Sequence, residues 1–370
     1  MGIENVGDNV RRRMKMKGFS IAQLSSQMGM GSATLSNILN GKSEPKSTTL
    51  IKLAETLNVQ IPDLLESTPA LETLRFRTAK VLSAREKAER EQIRFDTALW
   101  LQNYHFLEDS LHDKHVYEFS QFNEKKPESA ALLIREYFFG NHDNNYPFHD
   151  IANFIESSGI KLKIHSFGFK KTNGLSVGGL DKGPAIVVNS ETEITIERQI
   201  FTIAHELGHL LLHADSYKEQ HAIEDSYEEE EANLFAGSFL VPRAGLMKEW
   251  EESEGLHWVD AVLKIKKIYK VSYMTVLRRL SQVYPHIDSS SIYRDFAIAY
   301  GKRYGHNLKN YYEPEPLSKS DLVEDRFANL VKKAYEKDLI SFSRAGEMLN
   351  LSNEEMRARA LSWKGNPVDA

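Results

Sequence analysis

The residues best suited to chemistry stand together at Ala204-His205-Glu206-Leu207-Gly208-His209. Ile200, Phe201, Ile203, Leu207, Leu210 and Leu211 surround them and predict a buried helix. On a helix, residues four apart lie one above the other, so His205 and His209 present both imidazoles to one point. Two imidazoles at one point suit a divalent metal ion. Glu206 projects beside that point, placed to accept a proton from a water acidified by the metal and to pass it on to a leaving amine. The chemistry this predicts is metal-assisted hydrolysis of an amide bond.

A hydrolytic zinc usually keeps three protein ligands and one open position. The chain has no cysteine, so the third ligand must be His, Asp or Glu. His213 lies eight residues beyond His205, about 12 Å along a helix axis, too far to share a site unless the helix ends first. It reads instead as a neighbour of the site, facing substrate or supporting structure. The better donor lies in Glu228-Glu229-Glu230-Glu231, which precedes a helix with Ala232, Phe235, Ala236 and Phe239 on its core face. Rotation by 100° per residue brings Glu228 and Glu229 nearest that face and turns Glu230 away. A carboxylate on the buried side needs a partner, and a metal would be one.

The stretch His205-Glu206-Leu207-Gly208-His209-Leu210-Leu211-Leu212-His213, then Glu-x-Glu-Ala-Asn-Leu-Phe-Ala at 229–236 and Leu240-Val241-Pro242, resembles the ImmA/IrrE family of zinc metallo-endopeptidases. The resemblance covers residues 145–280. It implies a zincin-like domain with His205, His209 and Glu229 as metal ligands and Glu206 as general base and acid. It also implies Asn233 as a hydrogen-bond partner that orients a ligand histidine. His213, Tyr217, His221 and Tyr227 are all candidates for the oxyanion-stabilising or substrate-contacting group. Zn²⁺ is the expected cofactor, although a His/His/Glu set also accepts Mn²⁺ or Fe²⁺.

The elements that must position these residues are legible from punctuation. Residues 160–164 and 184–189 predict strands, with 175–180 as a third, and the backbone of Ala185 to Val188 could align an extended substrate by strand addition. Residues 71–111, rich in Ala, Leu, Arg and Glu, predict a long helix. From Ile200 the pattern stays helical to Trp363, and residues 339–352 predict a second helix-turn-helix-like pair whose charges balance. Phe201, Phe235, Phe239 and Met247 are expected in the core.

At the N-terminus, Ser20 can cap a helix over Ile21–Met28, Gly29-Met30-Gly31 makes a turn, and a second helix runs over Ser32–Leu39 to Asn40-Gly41. Ile21, Leu24, Met28, Leu35, Ile38, Leu50, Leu53, Ala54 and Leu57 are the expected core. Residues 6–65 resemble the XRE family of lambda-repressor-like DNA-binding domains. That resemblance places Ser32, Ala33, Thr34, Ser36 and Asn37 at base edges of an operator, with Lys42 among the basic residues near phosphates. The same fold also serves as a dimerisation or docking module, so a homodimer is among the partners it admits.

Composition frames these readings. The 370 residues, 41% hydrophobic and 27% charged, exclude a wholly disordered chain. Without cysteine, disulfide scaffolds and thiolate zinc sites are excluded as well. The net charge of −5 averages opposing regions: residues 1–52 carry eight Lys or Arg against three acids, while 215–231 carry eight acids and one lysine. No apolar run approaches the roughly 18 residues that would span a bilayer, and no apolar stretch follows Arg11-Arg12-Arg13 as in a secretory signal, so a cytoplasmic location is expected.

The expected architecture is α+β and mostly helical. A five-helix helix-turn-helix domain spans 1–66, a helical linker or scaffold 67–140, a peptidase domain with a small sheet 141–285, and a helical region, also helix-turn-helix-like, 286–370. Family resemblance implies a DNA-binding regulatory peptidase that cleaves a helix-turn-helix repressor or partner protein in a stress or mobile-element response. The alternative is a transcriptional regulator or toxin–antitoxin component whose peptidase-like domain senses or binds without turnover.

Overall fold

The computed structural model describes residues 4–17, 19–57, 59, 61–65, 71, 74–76, 84–140, 145–169, 171–181, 183–218, 226–308 and 313–364. Backbone packing groups them into two units: Met1–Leu71 with Lys80–Phe106, and Glu72–Ala79 with Leu107–Ala370. Among the described residues no helix is long and apolar enough to cross a membrane.

The first unit holds α1 (Glu4–Lys17), α2 (Ile21–Met28), α3 (Ser32–Leu39), α4 (Ser47–Leu57) and α5 (Ile61–Leu65). Local chemistry sets the bounds of α2. The Ser20 hydroxyl accepts the Gln23 N–H and the Gln23 side chain accepts the Ser20 N–H, a reciprocal capping box. Gly29 ends the helix at φ 65°, a left-handed conformation that favours glycine. Val10, Leu24, Met28, Leu35, Leu53, Leu57 and Leu64 form the core of the unit. Gly7 lets α1 approach the end of α3, because a Cβ there would lie 2.4 Å from the Leu39 carbonyl oxygen. Ile21 departs from expectation. It is 40% exposed at the N-terminal end of α2, while Leu24 and Met28, further along the same face, are buried.

In the second unit, β1 (Leu74–Phe76), β2 (Lys161–His165), β3 (Gly174–Val177) and β4 (Ala185–Asn189) form a sheet in the order β1-β3-β4-β2. The chain between contributes α6 (Ala84–Leu111), which belongs to the first unit as far as Phe106, and the second unit continues with α7 (Pro127–Phe139) and α8 (Ile151–Ser157). Two corrections follow. Among the described residues, the helix expected from residue 71 runs from Ala84, and Leu74–Phe76 is a strand paired antiparallel with β3. β4, expected to receive substrate, lies inside the sheet, antiparallel to β3 and parallel to β2. Its five residues are all buried, as a central β-branched strand should be, and its backbone groups are engaged by both neighbours. The edges are β1 and β2.

Below the sheet run α9 (Ile196–Leu212) and α10 (Ser226–Leu240), followed by α11 (Arg243–Glu251), α12 (Trp258–Tyr269), α13 (Tyr273–Val283) and α14 (Ile292–Tyr304). Ile203, Leu207, Phe235, Phe239, Val262 and Leu277 belong to one apolar core. Phe235 and Phe239 are fully buried, while Phe201 and Met247 pack against the core from half-buried positions. Gly208 sets the distance between α9 and α10: a Cβ there would lie 3.0 Å from the Phe235 ring and 3.3 Å from Ala232 Cα.

The chain continues through α15 (Arg326–Glu336), α16 (Phe342–Leu349) and α17 (Asn353–Lys364). The α16–α17 path repeats that of α2–α3. Ser341 caps α16 by accepting the Arg344 N–H, Asn350 ends it at φ 53°, and Ala345 and Met356 are buried where Leu24 and Leu35 stand in the first pair.

Candidate functional site

Thr195 opens α9 by accepting the Arg198 N–H, and the helix carries His205, Glu206 and His209 into the interior, each at most 3% exposed. The ring nitrogens His205 Nε2 and His209 Nε2 face one another at 3.0 Å. From α10, Glu229 Oε1 lies 3.1 Å from His209 Nε2, and Glu229 Oε2 lies 3.5 Å from His205 Nε2. Each of the three residues offers a donor atom, all within 4.8 Å of one another. Ligands on bonds of about 2.0–2.1 Å at a tetrahedral angle lie about 3.3 Å apart, so this spacing fits a divalent ion such as zinc.

The other face of each imidazole is committed. His205 Nδ1 lies 3.1 Å from Asn233 Oδ1, so with Nε2 directed at the cluster its Nδ1–H donates to the amide oxygen. His209 Nδ1 lies 3.0 Å from His213 Nδ1, and His213 Nε2 lies 2.9 Å from Glu231 Oε2. One tautomer set satisfies this chain: His209 Nδ1–H donates to His213, and His213 Nε2–H donates to Glu231. Both cluster histidines then turn a lone pair inward. His213 can join the chain because α9 stops at Leu212 and His213 is its cap.

The four glutamates separate cleanly. Glu228 accepts a hydrogen bond from Ser216 at 2.6 Å, Glu229 meets the two histidines, Glu230 is exposed and Glu231 meets His213. Burial by itself would raise the Glu229 carboxyl, but hydrogen bonds and charge from His205 and His209 outweigh it and hold the group well below the usual carboxylate range.

Glu206 sits under the sheet. Its Oε2 accepts the Ser176 hydroxyl at 2.5 Å, and Ser176 Oγ is also 2.7 Å from Tyr217 OH. Ser176 and Gly174 are two apart on β3 and face α9; a Cβ on Gly174 would lie 3.5 Å from Glu206 Oε1. Tyr217 is buried, packed so close to Gly178 that a Cβ there would lie 2.7 Å from the tyrosine Cβ. Tyr227 is 75% exposed, and His221 lies outside the described residues. The roles of Ser176 and Glu231 were not anticipated from sequence. Their partners are 30 and 18 residues away, beyond the reach of helical or strand periodicity.

In the first unit, Ser32, Ala33, Thr34 and Asn37 line the exposed side of α3, and Lys42 follows it, also exposed. Ser36 is half-buried and accepts the Asn40 side chain at 3.3 Å, while Ser32 Oγ is 2.8 Å from Ser25 Oγ.

Comparison with known proteins agrees with this geometry. Residues 10–64 match the family model described as Helix-turn-helix, and residues 155–281 match the peptidase model described as IrrE N-terminal-like domain. No curated protein matches the chain. The second match contains His205, Glu206, His209, Glu229 and Asn233, and the first contains α2 and α3. The chain therefore joins an XRE-type helix-turn-helix domain to an IrrE N-terminal-like domain of the metallopeptidase type.

Proposed function

We propose that this protein is a DNA-binding regulator and a zinc-dependent endopeptidase that cleaves a helix-turn-helix repressor or partner protein in a stress or mobile-element response. The observation that carries the reading is the convergence of two buried imidazoles and one carboxylate on one point, with a second carboxylate, Glu206, on the same helix turn. A divalent ion bound there supplies Lewis acidity, lowering the pKa of water and polarising a carbonyl.

The chain's own residues do the rest. His205, His209 and Glu229 hold the ion. Asn233 and the His213–Glu231 pair fix the two rings and raise their basicity. Glu206 takes a proton from the attacking water and returns it to the leaving amine, while Ser176 keeps its carboxylate from rotating away. In the other domain, the hydroxyls and amide exposed on α3 suit base edges in the major groove of an operator, and Lys42 suits a phosphate. Regulation and cleavage would then reside in one chain.

The test is incubation of the purified protein with a candidate helix-turn-helix repressor, with and without a chelator. Cleavage is expected only without chelator, and Glu206→Gln should lower its rate by about 10²–10⁴-fold with the fold intact. Unchanged cleavage by the Gln variant would contradict the mechanism.

A further inference from the structure

An extended peptide is most simply bound by adding it to a sheet edge, where the backbone supplies affinity and alternate side chains supply selectivity. The strand order settles which edges exist here. β4 is flanked on both sides, so it cannot receive a peptide. β2 is an edge, but it is two strands from the strand that touches Glu206. The strand beside the reactive carboxylate is β3, through Ser176 and Gly174. One side of β3 belongs to β4. The other is taken by three residues of the chain itself, with Leu74 opposite Val177, Arg75 opposite Ser176 and Phe76 opposite Leu175.

We propose that the outer backbone edge of β3 is the peptide-binding edge of the site, and that Leu74–Phe76 occupies it as an internal competitor that an extended substrate must displace. The proposal rests on the peptidase reading for its consequence, though peptide binding itself does not require turnover. It assigns a ligand class: an extended segment with apolar residues two apart. Leu175 and Val177 are fully buried on the face of β3 away from Ser176, so apolar residues directly across from them gain cross-strand packing. The residue between falls opposite Ser176, whose hydroxyl holds Glu206. Its backbone is thereby set beside the carboxylate that would move the proton.

The internal strand has the properties of a displaceable occupant. Its described part is three residues long, at the short end of the usual range for a strand. It is also the one strand of the sheet from outside the matched 155–281 segment, so that segment contributes three strands and the preceding chain completes the edge. Tethering makes it a strong competitor even so. A linked segment acts at an effective concentration on the order of millimolar, so a peptide in trans with similar contacts binds poorly while the tether is seated.

The experiment uses the full chain carrying Glu206→Gln, so that nothing is cleaved, and a fluorophore-labelled peptide of residues 72–79 followed by anisotropy. Arg75→Pro removes a backbone N–H from the internal strand and should tighten peptide binding at least tenfold. Equal or weaker binding by a variant with an unchanged melting curve would overturn the proposal. Because the chain has no native cysteine, a second variant decides the matter should Arg75→Pro fail to fold. Leu74→Cys with Val177→Cys joins directly opposed positions. Once oxidised it should lose peptide binding, and reductant should restore it. Binding that is the same in both redox states would overturn the proposal. Failure of the peptidase reading would appear separately, as absent repressor cleavage with peptide binding intact.

Discussion

The two ends of α9 meet carboxylates in opposite circumstances. Near its start, Glu197 is fully buried and accepts from Lys266 Nζ at 2.9 Å and from the Leu317 N–H at 2.8 Å. The same lysine lies 3.5 Å from Glu313 and donates to the Glu315 carbonyl at 3.0 Å. Burial, countered by the Tyr273 N–H and by Lys266, leaves the Glu313 carboxyl raised to about 7. Here the chain provides its own cation, and the cluster ties α9, α12 and residues 313–317 together. Near the other end, Glu229 is met by two imidazoles whose remaining nitrogens are fixed from behind. Donors that converge on a lysine describe structure; donors that converge on one another describe a place for a ligand. The presence of a carboxylate does not distinguish the two ends. The group at the centre does.

Removing the central group is the sharpest way to break the comparison. Lys266→Ala leaves Glu197 buried and uncompensated, and unfolding free energy should fall by about 3–5 kcal/mol in denaturant titrations. Metal content should not change. If it did, the two ends of the helix would be one system and the contrast would fail.

A smaller effect probes the supports of the metal-type cluster. His213→Ala and Glu231→Gln should each weaken zinc affinity by roughly 10–100-fold in competition with a chromophoric chelator, because they loosen the His209 ring without removing a ligand. The double variant should lose little more than either single one, since both act through one chain of hydrogen bonds. Full additivity would show that the relay is not a unit.

Much of this was legible in the sequence, and the reasons are local. Ser20, Gly29 and Gly41 mark α2 and α3 because capping and left-handed turns are decided within a few residues. His205, Glu206 and His209 are legible because a helix converts a spacing of four into a shared face. Rotation narrowed the third donor to Glu228 or Glu229, and the structure sends the first to Ser216 and the second to the histidines. What escaped depends on distant pairing. Strand order is not encoded in periodicity, so β4 was read as an available edge. Lys266 and Glu197 meet across 69 residues. β1 was hidden in a helix-rich composition, although Leu74-Arg75-Phe76-Arg77 alternates with period two and carried the signal.

Glu156 offers the mildest test, as a buried carboxylate outside both clusters. Its Oε1 has no hydrogen-bond partner among the described residues. Burial, reinforced by Asp325, pushes the group up to about 8. The folded chain therefore keeps a proton that the unfolded chain releases near pH 4.3. Stability should fall as pH rises from about 4.3 to about 8, because ionisation is then favoured only in the unfolded state. Glu156→Gln should remove that slope, matching the parent near pH 4 and exceeding it by pH 9. Melting curves across this range check it.

The central claim is that His205, His209 and Glu229 form one metal site with Glu206 beside it. Elemental analysis of the purified protein after zinc loading and desalting tests this directly. The account predicts equimolar zinc in the parent and in Glu206→Gln, and near-complete loss in Glu229→Ala with an unchanged helical spectrum. Zinc retained by Glu229→Ala, or lost with Glu206→Gln, would contradict it.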